Sequence, residues 1–170
     1  MNIVDLTNRE NELLEKIEKV VGLMEDQNIM LEKEGIFDEY KKLFNVYVGL
    51  HKKDLEALKR CLFLYWHALN EPTCYTGLSE FDSNQVEKVL NTLDHLLSQG
   101  NSDYELEWML GYYSNWAYIF EPFPQFQFIH NKMKENNTSE LPKKIDRNEM
   151  AKRGQMGMYW MSLTRFKESQ

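Results

Sequence analysis

Asp54–Gly77 reads DLEALKRCLFLYWHALNEPTCYTG, and the fold follows from it. Leu55, Leu58, Cys61, Leu62, Tyr65, Trp66 and Leu69 recur at helical spacing, which predicts a helix over Asp54–Leu69. From Cys61 to Trp66 the run is apolar on every face. A helix apolar all round belongs inside a core, among other helices. Glu71-Pro72 stops it, because the residue before proline is pushed out of the α region. Gly77 closes the following loop, where a positive φ is expected.

Working outward, the flanking sequence supplies the partners. Thr7-x-x-Glu10 has the form of a capping box, so a helix is expected to start near Asn8. Leu13, Leu14, Ile17, Val20, Val21, Met24 and Leu31 form its apolar stripe, and Gly35 supplies its end. That gives about 25 residues, bent near Asp26–Asn28, with packing on the chain's own core preferred to a coiled-coil seam between two copies. A second helix is expected over Asp38–Lys52 on Phe37, Tyr40, Leu43, Phe44, Tyr47 and Val48. Its short link to the central helix predicts an antiparallel hairpin. Asp82 or Ser83 opens a helix lined by Val86, Val89, Leu90, Leu93, Leu96 and Leu97 and ended by Gly100. Ser102 or Asp103 caps another, with Glu105 and Glu107 where the helix dipole favours acids, running to Phe120 before Glu121-Pro122. Phe123–Lys134 reads as an irregular turn into a short helix, and Lys134–Pro142 as an exposed polar loop. Asp146 caps a last helix to about Phe166. In it, Gly154 and Gly157 imply close approach by another group. The expectation is all-α: residues 1–170 as one domain, a bundle of about six helices around a buried central helix at 54–69.

Composition narrows the function. The chain of 170 residues is long enough to bury a core without staples. Two cysteines, Cys61 and Cys74, are too few for a disulfide scaffold and fit a reducing cytoplasm, with Cys61 buried and Cys74 partly exposed in a loop. No apolar run reaches the ~20 residues of a membrane span, and the N-terminus does not read as a signal peptide. The net charge of −7 is unevenly spread: residues 71–130 carry nine acidic side chains against Lys88 alone. Such a stretch repels phosphates and disfavours nucleic acid as a partner. The basic C-terminal segment is read as neutralising that middle rather than as a phosphate site.

No catalytic or nucleotide-binding motif stands out. His67 and Glu71 lie four apart and could share one side of a helix end, but two ligands fall short of the three or four that zinc takes. Cys74 lacks any cysteine-enzyme signature around it. No metal and no cofactor are therefore expected. Trp108 and Tyr112 lie off their helix's main stripe, on the side carrying Glu105, and together with Glu105 and Glu107 form the candidate partner surface. The expected function is a small acidic cytoplasmic interaction module that binds a basic protein and has no chemistry of its own, the build of an immunity-type antagonist. The alternatives are a ligand-binding or metal-dependent enzyme using His67, Glu71 and Cys74, and a module that forms a homodimer through its first helix.

Overall fold

The computed structural model describes residues 2–135, 141–142 and 145–165, and the protein is all-α, with no strand among them. The helices are α1 (Ile3–Glu18), α2 (Met24–Lys33), α3 (Ile36–Leu50), α4 (Leu55–Asn70), α5 (Thr73–Thr76), α6 (Ser83–Ser98), α7 (Tyr104–Tyr113), α8 (Gln127–Glu135), α9 (Arg147–Met150) and α10 (Gly154–Arg165). A 3₁₀ helix, Ser114–Phe120, continues α7. The described residues thus hold more helices than the six or so expected, because three of the expected helices are broken and the expected loop before Gly77 contains α5.

α4 forms where the apolar run predicts. Asp54 caps it by accepting the backbone N–H groups of Glu56 and Ala57. Every residue from Ala57 to Leu64 is buried, and so are Trp66 and His67. The burial includes Lys59 and Arg60, which precede the apolar run. α3 packs antiparallel to α4 and buries Tyr40, Leu43, Phe44, Tyr47 and Val48, as expected. Gly77 has φ +66, and a Cβ there would press into Ile17 and Ile36, so the turn after α5 needs glycine.

The first expected helix is two helices. α1 starts five residues before the predicted point, on a capping box made by Asn2 and Asp5. Thr7 and Glu10 lie inside α1 and face inward: Thr7 Oγ1 donates to the Ile3 carbonyl, and Glu10 is 1% exposed. The chain leaves the helix after Lys19, and Val21 and Met24, assigned to the stripe, are exposed. The fifth expected helix changes character at Ser114 and kinks at Trp116 (φ −126°, ψ 42°), where a side-chain stripe cannot reveal a backbone break. The last breaks at residues 151–153 into α9, capped by Asp146, and α10. Its expected end at Phe166 and most of the expected loop over 134–142 lie outside the described residues.

Candidate functional site

The break before α10 serves a buried chain of charges. Glu10 sits opposite Arg60, at 3.6 Å, and both are about fully buried. Glu10 accepts from the Tyr47 hydroxyl (2.5 Å) and from the backbone N–H of Gln155 (2.9 Å). Arg60 donates to Tyr47 and Thr7 (2.8 Å each), to Glu56 (2.8 Å) and to the Lys152 carbonyl (3.2 Å). Arg153 pairs with Glu56 and Glu105. Glu105 and Asp103 share the Lys59 ammonium, at 2.6 Å each. Gly154 stands against Glu10 with φ +58, and a Cβ would overlap the carboxylate; this is the close approach its sequence position implied. Burial pushes the Glu10 carboxyl above the usual range, against the downward pull of Arg60, Tyr47 and the Gln155 N–H. Burial lowers the Arg60 guanidinium, but Tyr47, Glu10 and Glu56 outweigh it and hold the group charged. An open cleft of about 580 Å³ runs past this network, lined by Thr7, Asn8, Asn11, Arg60, Lys152 and Arg153 among others. Its cations already have partners. The network joins α1, α3, α4, α7 and the segment before α10, and its chemistry is that of a tie.

His67, Glu71 and Cys74, the residues of the enzyme alternative, lie along the end of α4 and in α5. His67 is buried among Phe63, Trp66 and Tyr159, with ring centroids at 4.8, 5.6 and 5.1 Å. Burial lowers its pKa to about 4, so the ring is neutral, and its Nδ1 makes no hydrogen bond to protein. Cys74 is 3% exposed in α5, which corrects the expectation of an accessible loop thiol. Glu71 is half-buried at the end of α4. None of the three lines the cleft above or the groove below. Among the described residues there is no group of three or more His, Cys, Asp or Glu able to hold a metal. His51 and His130 are bound to backbone carbonyls, of Val48 and Lys88 and of Phe123.

The four residues of the expected partner surface are partly buried, and much of their polar capacity is used internally. Trp108 packs edge-on against Trp160 at 4.8 Å, and Tyr112 contacts Trp66 and Trp116 while its hydroxyl bonds that of Tyr159 at 2.8 Å. Glu105 belongs to the ion-pair chain, and Glu107 pairs with Lys132 at 2.5 Å. Basic residues from the C-terminal segment, Lys132 and Arg153, thus neutralise acids of the middle.

Four of the remaining acids lie about a different feature. The last turn of α4 (Tyr65, Ala68, Leu69), the start of α6 and the link before it (Glu80, Phe81, Ser83, Val86), and the chain from Tyr118 to Phe123 enclose an apolar groove of about 340 Å³. Tyr65 donates to the Ile119 carbonyl and Tyr118 to Asn70, each at 2.6 Å, so two hydrogen bonds tie the α4 wall to the 3₁₀ wall. Phe81 stacks on Phe44 with centroids 4.1 Å apart, which fixes the third wall. Leu69 and Tyr118 remain 41% and 51% exposed. Glu80 lines the groove, and the exposed Asp82, Glu87 and Glu121 are chain neighbours of lining residues. Sequence reasoning missed this groove. Its signal was present as acids beside aromatics off the helical stripes, in Glu80-Phe81-Asp82 and in Tyr118 to Phe123.

Comparison with protein-family models, with curated proteins and with solved structures finds no match.

Proposed function

We propose that this protein is an interaction module with no chemistry of its own, which binds a basic protein partner through the stretch 71–130, in the manner of an immunity-type antagonist. The proposal takes residues 1–170 as one domain organised around α4, working in a reducing cytoplasm; Cys61 and Cys74 are both free and buried. One observation carries it. Two sets stand apart among the acids of the middle. Asp103, Glu105 and Glu107 are used in ion pairs, whereas Glu80, Asp82 and Glu121 have no ion pair among the described residues and stand about an apolar groove. Unpaired surface charge of one sign steers an oppositely charged protein and speeds encounter, and exposed aromatic surface supplies anchors.

The test is capture of a partner from the native cell with this chain as bait, followed by association kinetics at two salt concentrations. Reversal of the unpaired acids (Glu80→Lys with Glu121→Lys) slows association, and the difference shrinks as salt rises. An association rate indifferent to both the reversal and the salt refutes the proposal. Reversal of Glu105 is the wrong experiment, since it breaks the pairs with Lys59 and Arg153 and weakens the fold.

A further inference from the structure

We propose that the groove between the end of α4, the start of α6 and the Tyr118–Phe123 chain receives one or two adjoining large apolar side chains from a partner segment whose flanking residues are Lys or Arg. The proposal rests on the interaction reading above and names the chemistry of the occupant.

Three features of the groove select that occupant. First, its polar groups are turned away. The hydroxyls of Tyr65 and Tyr118 are spent on Ile119 and Asn70, so the rings present carbon to the groove. Glu80 and Ser83 are the remaining side-chain polar groups of its lining. A small polar ligand would find few convergent partners, whereas an aliphatic or aromatic side chain loses nothing on entry. At about 340 Å³ the groove is at the small end of ligand sites, a size for side chains rather than for a helix face. Second, the lip is acidic on both sides. Glu80 and Asp82 flank Phe81, and Glu121 precedes Pro122, which lines the opposite wall. Lys88 is the one cation in residues 71–130, and its ammonium is bonded to Gln85. Cationic residues on either side of the anchor would therefore meet carboxylates, and the half-exposed ring of Tyr118 offers a face for cation–π contact. Third, the walls are set in advance by the two tyrosine bonds and the Phe44–Phe81 stack, so binding orders little protein.

A labelled peptide of sequence KKLFKK, with KKAAKK and EELFEE as controls, tests this by fluorescence anisotropy at low and at physiological salt. The expected result is binding of KKLFKK with both controls about tenfold weaker or worse, a difference of ~1.4 kcal/mol. Leu69→Lys places a cation in the groove, and Glu80→Lys with Glu121→Lys inverts its lip; each weakens KKLFKK about tenfold or more. Both sets of sites are solvent-exposed, and melting curves of the variants confirm that the fold is kept. Equal binding of KKAAKK overturns the apolar anchor. Equal binding of EELFEE overturns the acidic lip. No peptide binding, or binding indifferent to Leu69→Lys, overturns the groove as the site, including the outcome in which the peptide lands on the exposed Val21, Leu23 and Met24. The interaction reading is decided separately. If a native partner captured by the parent chain is held equally by Leu69→Lys, the groove fails and the reading stands. If the parent captures no saturable partner, the reading itself fails.

Discussion

Arg60→Met should be among the most damaging single changes in this protein, although it swaps a charged side chain for an apolar one of similar length in a buried place. Arg60 is 2% exposed and donates to Thr7, Tyr47, Glu56 and the Lys152 carbonyl while facing Glu10. Methionine fills the space but leaves the Glu10 carboxylate buried with no cation opposite. Removing one partner of a buried pair costs about 3–5 kcal/mol, because the survivor is an uncompensated charge. That is a large part of the roughly 5–15 kcal/mol of a typical domain, and a chain of this size should lose about 6–20 °C in melting temperature. The pH dependence separates lost packing from orphaned charge. Burial already raises Glu10, and without Arg60 it rises further. A carboxyl raised in the folded state is bound by a proton more readily there than in the unfolded chain. The penalty is therefore full above the folded pKa and is relieved as pH falls through it toward the unfolded value. Guanidinium unfolding of the parent and Arg60→Met should show a gap that is wide at pH 8 and narrower at pH 5. Adding Glu10→Leu to Arg60→Met should recover much of the loss, since the orphan is gone. A variant melting within two degrees of the parent, or a gap constant from pH 8 to pH 5, would mean that the charge chain does not hold these helices together.

Three further outcomes follow from particular side chains. His67, lowered by burial from 6.5 to about 4, makes folding favour the neutral ring, so stability present above pH 6.5 is lost as pH falls toward 4; the loss is about 3 kcal/mol, and denaturant titrations of His67→Phe should show that slope flattened. Gly154→Ala meets both a left-handed backbone, at about 1–2 kcal/mol, and the Glu10 carboxylate; calorimetry should show a loss beyond that figure, and a smaller loss when the same change is made in a Glu10→Ala background. Trp66, 1% exposed and packed by Tyr112, Tyr113, Trp116 and Tyr159, should cost about 3–5 kcal/mol as Trp66→Ala, and a melt within a degree or two of the parent would refute its place in the core.

Apolar periodicity and caps located most helices, because both act within a few residues. Asp146 caps where the sequence reading put a cap, Asp82 and Asp103 are each one of the two residues it offered, and Asp54, read as the first residue of the central helix, caps it. What it misread depends on partners far along the chain. Thr7 and Glu10 have the spacing of a capping box, yet Tyr47, Arg60 and Gln155 claim their oxygens. Lys59 and Arg60 look like a solvated turn of helix until Asp103, Glu105 and Glu10 arrive from elsewhere. The same holds for the acidic middle. Its charge was legible as a sum, but which acids are spent on ion pairs and which stand free is decided by tertiary contact. Glu105 and Glu107, chosen for their place beside Trp108 and Tyr112, are spent. Glu80, Asp82 and Glu121, about the groove, form no ion pair among the described residues.

The hydrogen bond from the Gln155 backbone to Glu10 has a consequence in time. It spans 145 residues, and it satisfies a donor in the first turn of α10 that the helix itself cannot satisfy. α10 therefore starts well only on a surface that α1 provides, and α1 keeps Glu10 buried only once α10 and Arg60 are in place. Neither end of the chain can complete its structure alone, and closing a loop of that length is entropically unfavourable before the contact rewards it. During synthesis Glu10 precedes Gln155 by 145 residues and lacks that donor until Gln155 has followed. A sequence arranged in this way folds as a closing ring rather than a growing stack, so release of truncated chains lacking 145–165 should leave α1 exposed to proteolysis while full-length chains protect it.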